Sequence, residues 1–319
     1  MAGKRFGIWP ARLVRLLVVL VCLVLAGVLV TKQLANQWLS NPSVSNPSSN
    51  HLEDSIGPGV PSEGLPTEGT LVDSHPLDAV LRLAKDAMET HKRTHRNYRA
   101  TVHKRERIGK DLGPESKMEL KLRYRQEDSQ SGLRQMDVYL KFLEPKSQAG
   151  RELIWKEGFN DGLMVVHEAG FLNITKIELS PTSRLAMLGN RYPVSDIGIE
   201  RLLTKLLAKG NRDRQLGDCQ VNLIDSVDVA GRNCKRIEVC HPQRAVTVGD
   251  KTIEHEFYKA VIDIDNQHGV PIRYASYMWP ENSDGQPVLD EEFLYENLEI
   301  NTELDDQDFD PDNPAYNYP

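Results

Sequence analysis

The sequence carries none of the short signatures that mark the common catalytic centres. It has no G-x-S-x-G elbow, no H-E-x-x-H pair, no C-x-x-C and no P-loop. The stretch GPGVPSEG is glycine-rich like a nucleotide loop, but no predicted strand precedes it. The pairs His167-Glu168 and His255-Glu256 lack a second histidine four residues on. Each lies in a predicted strand, where neighbouring side chains point to opposite faces, so both read as surface residues. Cysteine is scarce, with four in 319 residues, and a chain this long needs no disulfide or metal to staple its core. A net charge of −7 argues against a general nucleic-acid binder. Acid is missing from the first forty residues, which carry Lys4, Arg5, Arg12, Arg15 and Lys32.

What is present is unevenly laid out. Leu13 to Val30 is an apolar run with one charge near its start, long enough to cross about 30 Å of hydrocarbon as a helix. Trp9 and Trp38 flank it at interfacial positions, and the basic residues before it place the N-terminus in the cytoplasm. A cleaved signal peptide ending near Ala26 is the alternative, and either reading exports the rest of the chain. Residues 40–74 are rich in Pro, Ser, Gly and Asn and read as a disordered tether. The layout expected is a cytoplasmic N-terminus and transmembrane anchor (1–39), a tether (40–74) and one exported domain (75–319). That makes a single-pass inner-membrane protein with a periplasmic domain.

Within that domain the apolar period switches. Leu77, Val80, Leu81, Ala84 and Met88 recur at helical spacing. Then Tyr98, Ala100 and Val102, Met118 to Tyr124, and Met136 to Phe142 alternate with polar residues, which predicts half-buried strands. Short loops predict antiparallel pairing. The stretch SDIGIERLLTKLLAKG predicts a second helix, capped by Ser195 and ended by Gly210. More strands come after it. The order predicts an α+β domain: one large curved antiparallel sheet, an unclosed half-barrel, lidded by helices.

Three groups of residues are candidates for function. Met118, Leu120, Leu122, Tyr124, Met136, Val138, Leu140 and Phe142 make one apolar face. Core packing is the plain reading, but the predicted strands outnumber the helices that cover them, which leaves room for an apolar ligand cavity. Arg99, Arg105, Arg107, Lys121, Arg123 and Arg125 form a basic stripe on the opposite face, either a solvated surface or an anion-binding one. Asp306, Asp308, Asp310 and Asp312 alternate like the start of a calcium loop. They lack its glycine and distal Glu, so this segment reads as a solvated tail.

Cys219, Cys234, Cys240 and His241 suggest a zinc set at first sight. Cys234 and Cys240 are six residues apart on one predicted strand, about 20 Å, and His241 faces away from Cys240. No metal or cofactor is expected. The hairpin turn at Gly231-Arg232 pairs Val229 with Cys234 and Leu223 with Cys240. In an oxidising compartment Cys219–Cys240 is the disulfide candidate, through a bulge or bend, and buried inert thiols are the alternative.

The phrases GRELIWKEGFNDGLMVVHEAG, NRYPVSDIGIERLLTKLL and IDIDNQHGVPIRYASYMWP, with the segment through DPDNPAY, resemble an uncharacterised bacterial domain-of-unknown-function family best known from planctomycetes. The element order, with Asp265, Gly269, Pro271, Arg273 and Tyr274 in a closing hairpin, is more distantly similar to the LolA/LolB/RseB-type periplasmic fold. That resemblance implies an unclosed barrel, lidded by helices, that binds lipoprotein acyl chains; it implies no catalytic residue. A tethered chain fits a fixed acceptor, sensor or scaffold. The expected function is a non-enzymatic envelope protein that binds a lipid, a lipoprotein or another apolar ligand. A protein–protein interaction or stress-sensing module is the alternative. An enzyme would require a cleft where polar groups converge.

Overall fold

The computed structural model describes residues 75–319 apart from 171, 172, 218, 283 and 284. The expected cytoplasmic segment, membrane anchor and tether lie outside the described residues. Among the described residues no helix is long and apolar enough to cross a membrane.

Helix α1 (Leu77–Thr94) leads into β1 (Asn97–Ile108), β2 (Asp111–Leu112), β3 (Ser116–Glu127), β4 (Arg134–Glu144), β5 (Glu152–Lys156), β6 (Met164–His167) and β7 (Ile177–Leu179). Helix α2 (Ile199–Leu216) interrupts the strands. Then come β8 (Gln220–Val229), β9 (Arg232–Cys240), β10 (Ala245–Val248), β11 (Lys251–Glu254), β12 (Lys259–Asp265), β13 (Val270–Met278) and β14 (Val288–Ile300). The main sheet has twelve strands in the order β7-β6-β5-β4-β3-β1-β14-β13-β12-β9-β8, with β2 beside β1, and β10 and β11 form a separate hairpin. Strand neighbours run antiparallel, as the short loops require. β7 and β8 are the two edges, so the sheet is open, the α+β architecture that the change of period predicts.

The inner face carries two apolar clusters. One, on the β7 side, gathers Tyr98, Val102, Leu120, Leu122, Val138 and Trp155 under Ile199 and Leu203 of α2. The other, on the β8 side, gathers Ile237, Val239, Ala260, Ile262 and Tyr274 under Leu77 and Leu81 of α1. Covering a large apolar side chain contributes roughly 1.5–3 kcal/mol, so both helices are held by the stripe that their spacing shows.

Four expectations change. α2 does not begin at Ser195, which sits in a short turn at Val194–Asp196; its N-cap is Gly198, at φ +104°. A Cβ on Gly198 would lie 2.9 Å from Leu122 Cδ1 and 3.1 Å from the Tyr98 hydroxyl, so the close approach of α2 to the sheet excludes a side chain. Gly210 does not end α2, which runs on to Leu216. A Cβ there would meet Leu81 Cδ2 at 2.9 Å, so this glycine marks a crossing with α1. The β8–β9 turn is Ala230-Gly231, both at positive φ, and it pairs Val229 with Arg232, Val227 with Cys234 and Gln220 with Cys240. That is one residue earlier than expected, with a bulge between Ile224 and Val227, because a two-residue turn of this kind takes its glycine second.

The acidic C-terminal segment is not a solvated tail. It lies over the outer face of β3–β5, with Phe309 almost fully buried beside Tyr139, Ile154, Tyr316 and Tyr318. Tyr316 stacks on Tyr139 with centroids 4.2 Å apart. This cover explains why β4 buries Asp137 and Tyr139 as well as Met136, Val138 and Leu140, against the half-buried pattern expected.

Candidate functional site

The helix lid is fastened unequally. At the β7 side, the first N–H groups of α2, which a helix leaves unpaired, find hydroxyls from the sheet. Ile199 N–H donates to Tyr98 Oη at 3.1 Å and Glu200 N–H to Tyr124 Oη at 3.3 Å. The buried Glu200 carboxylate accepts from Arg134 Nε and from Arg134 N–H, both at 2.8 Å. Arg134 also donates to the His95 carbonyl at 2.6 Å and lies 3.9 Å from the Tyr124 ring centroid. These bonds join the start of α2 and the end of α1 to β1, β3 and β4.

On the β8 side the lid rests mainly on apolar side chains, with ion pairs to Glu256 at its edge, and leaves a gap. A cavity of about 60 Å³ lies between Leu77, Leu81 and Ala84 of α1, Leu203, Leu206 and Gly210 of α2, and Ile237, Val239, Ala260 and Ile262 of the sheet. Lys209, Asp213 and Tyr274 are its polar lining residues. Lys209 Nζ stands 3.4 Å from Glu256 and 3.9 Å from the buried Glu291. Burial and the charge of Glu291 push the Tyr274 hydroxyl well above its ordinary pKa, which keeps it neutral.

The eight expected cavity residues do form one face. Met118 stands opposite Phe142, Leu120 opposite Leu140, Leu122 opposite Val138 and Tyr124 opposite Met136. Seven are buried and Phe142 is half-buried, all packed in the cluster that α2 covers. None of the eight lines the gap, which opens over the other half of the sheet.

The basic stripe already holds anions of its own chain. Arg123 and Arg125 both donate to buried Asp137, and Arg123 also to Asp306. Lys121 bonds Asp308 at 2.5 Å, and Arg99 lies 3.7 Å from the same carboxylate. Arg105 and Arg107 donate to the carbonyls of Gly113 and Leu289. The stripe, expected as a solvated or anion-binding face, is thus in three of its six residues, Arg99, Lys121 and Arg123, the seat of the acidic C-terminal segment.

The Cys219–Cys240 bridge is not formed, and Cys234 and Cys240 are free thiols. Cys240 pairs with Gln220 rather than with Cys219, and neighbouring strand residues face opposite ways. Burial, with Asp265 and Asp263 nearby, pushes the Cys234 thiol up to about 11, so it is inert. His167 and His255, expected at the surface, are buried. His167 lies under Tyr318 of the C-terminal segment, ring centroids 4.4 Å apart.

Sequence reasoning misses the gap because its walls come from α1, α2 and three distant strands. The usable signal is the run Ala260-Val261-Ile262, apolar without alternation, which marks a strand covered on both faces.

A family model described as a protein of unknown function, DUF1571, matches residues 95–318, and the chain belongs to that family. Among curated proteins none matches. The chain is similar to several solved structures. A putative outer membrane lipoprotein-sorting protein domain from Vibrio parahaemolyticus shares 13% identity, over 72% of this chain and 95% of that one, at a TM-score of 0.34. A LolA superfamily protein from Nitrosomonas europaea shares 13%, over 71% and 97%, at 0.27. The Pseudomonas aeruginosa MucA/MucB complex shares 17%, over 70% and 60%, at 0.37.

Proposed function

We propose that this chain is a non-enzymatic, membrane-anchored envelope protein whose domain takes up an apolar chain, such as the acyl group of a lipid or lipoprotein. The observation that carries the reading is the asymmetry of the lid. One end is tied by buried hydrogen bonds of Tyr98, Tyr124, Arg134 and Glu200, and the other rests on apolar contacts around a gap, with ion pairs of Lys209 and Arg212 to Glu256 at its rim. The gap exceeds what one water needs but falls short of an extended acyl chain. Entry therefore requires the helices to part from the sheet over the gap, with the Lys209 and Arg212 ion pairs to Glu256 opening and the fastened start of α2 staying in place. Apolar contacts are non-directional and re-form around a chain. Leu13–Val30 supplies the anchor and the tether its reach.

The test is native mass spectrometry of the full chain released from detergent, with solvent extraction, alongside exchange of a fluorescent fatty acid. The expected result is a bound or exchangeable lipid in the wild type and at least tenfold weaker uptake in Ala84→Trp, which fills the gap. A wild type that neither carries nor exchanges lipid overturns the reading.

A second reading is an envelope protein partner. Ile174, Leu185 and Leu188, exposed by 80%, 60% and 78%, present apolar surface around β7. It expects a crosslinked partner that Leu185→Asp with Leu188→Asp abolishes while lipid uptake stays intact. Equal capture by wild type and double variant rejects it.

A further inference from the structure

Three side chains from separate parts of the domain meet at the rim of the gap. Asp213 comes from the last turn of α2, His241 directly follows β9, and His255 directly follows β11. All are buried, at 6%, 1% and 5% exposure. One ligand-capable atom from each lies within 4.8 Å of the other two. The imidazoles of His241 and His255 stack almost parallel, centroids 4.0 Å apart at 11°. His241 Nε2 is 3.8 Å from Asp213 Oδ2, beyond hydrogen-bond reach.

The hydrogen bonding of this cluster is incomplete. His241 Nδ1 lies 3.3 Å from the Phe257 carbonyl, which accepts its proton and leaves Nε2 as a bare lone pair. That Nε2 is buried without a hydrogen-bond partner, and so is His255 Nδ1. Buried polar atoms are nearly always paired, so two orphans in one stacked pair, opposite a carboxylate, point to a shared partner. The backbone is held at both residues: His241 N–H donates to the Tyr258 carbonyl at 2.8 Å and His255 N–H to the Arg244 carbonyl at 2.9 Å. Burial lowers the pKa of both histidines and so favours the neutral form that ligates.

We infer that Asp213, His241 and His255 form a binding site for one divalent transition-metal ion of the zinc class. Two imidazoles and a carboxylate are a donor set that zinc accepts, whereas calcium and magnesium take oxygen ligands. Tetrahedral zinc, bonded at about 2.0–2.1 Å, sets its ligand atoms about 3.4 Å apart, so on loading the three groups close by up to roughly 1.4 Å and the stacked rings turn until both lone pairs face the ion. The His241 Nδ1–H bond to a carbonyl is the outer contact that orients a metal-binding imidazole. The nearest cations, Lys209 and Arg212, are paired with Glu256.

Placement gives the ion a role. Asp213 belongs to the end of α2 over the gap, while His241 and His255 belong to the segments that follow β9 and β11. An ion held by all three would latch α2 over the gap. The site stands whether or not the gap takes an apolar chain.

The test uses the untagged full chain, stripped by chelation and titrated with zinc by calorimetry, with metal content read by mass spectrometry. The expected result is one zinc per chain and a higher Tm on loading. Asp213→Asn and His255→Gln should each weaken binding by at least tenfold, and His91→Met, at the separate His91–His95 contact, should leave it unchanged. If the two ligand variants fail to fold, X-ray absorption of the zinc-loaded wild type decides. Two imidazole nitrogens at about 2.0–2.1 Å support the site, and sulfur ligation overturns it. Absence of zinc uptake by the wild type, or undiminished binding by both folded variants, also overturns it.

Discussion

Arg123 joins the outer face of the sheet to the C-terminal segment: its Nη2 donates to buried Asp137 at 2.7 Å and to exposed Asp306 at 2.8 Å. Asp137 carries the larger share. Its Oδ2 takes both Nε and Nη2 of Arg123, and its Oδ1 takes Nε of Arg125. Removing one partner of a buried charge group costs roughly 3–5 kcal/mol, because the other is left uncompensated. An exposed pair contributes about 0–1 kcal/mol. Asp137→Ala is therefore expected to lower stability by about 3 kcal/mol or more, and Asp306→Asn by much less. Urea unfolding of both variants checks the ordering; equal losses would show that the buried carboxylate has no special part.

Phe309 anchors the C-terminal segment, with the Arg123 guanidinium 4.9 Å from its ring centroid. Phe309→Ala should destabilise the domain by roughly 3–5 kcal/mol, the range for a buried aromatic. Deleting residues 302–319 should uncover Lys121, Arg123 and Arg99, and the shortened chain should bind a phosphate-bearing column more tightly in low salt, an effect lost at high salt. Unchanged retention would mean that the segment does not occupy the stripe.

How much of the molecule is legible in its sequence depends on which forces are local. Alternation in β3 and helical spacing in α1 record burial directly, so the sheet, its antiparallel sense and the lid are readable. The acidic segment is not, because its carboxylates pair with basic residues about 180 positions earlier, as Lys121 does with Asp308. Tyr98 and Tyr124 read in the sequence as apolar wall. Their rings are, but their hydroxyls cap α2, a task set by a helix that begins at Ile199 rather than after Ser195. The sequence sets His241 beside Cys240, whereas its neighbours in space are Asp213 and His255.

Acid should weaken the domain through His91. This residue is buried, with its Nδ1 2.9 Å from His95 Nδ1 and Tyr124 edge-on to its ring. Burial first, then the charges of Arg134 and His95, lower its pKa to about 2. His95 is lowered as well, by burial and then by His268 and Arg134. A histidine lowered on folding stays neutral in the native state but takes up a proton when the chain unfolds below about pH 6.5. Its stabilising effect is therefore complete above that value and lost as pH falls toward the folded pKa. For His91 the loss is about 1.4 kcal/mol per pH unit once pH is well below 6.5. His103 works the other way. Burial lowers it, but hydrogen bonds to Glu115 and Glu296 outweigh that and leave it raised, so it favours folding at low pH and loses that effect as pH rises through its folded pKa. It is partly exposed, and its contribution is correspondingly screened. Urea unfolding at pH 7 and pH 5 should show the weaker fold at pH 5. His91→Met, which keeps an apolar side chain of similar size in the site, should remove most of that slope. A variant whose pH dependence matches the wild type would place the acid sensitivity elsewhere.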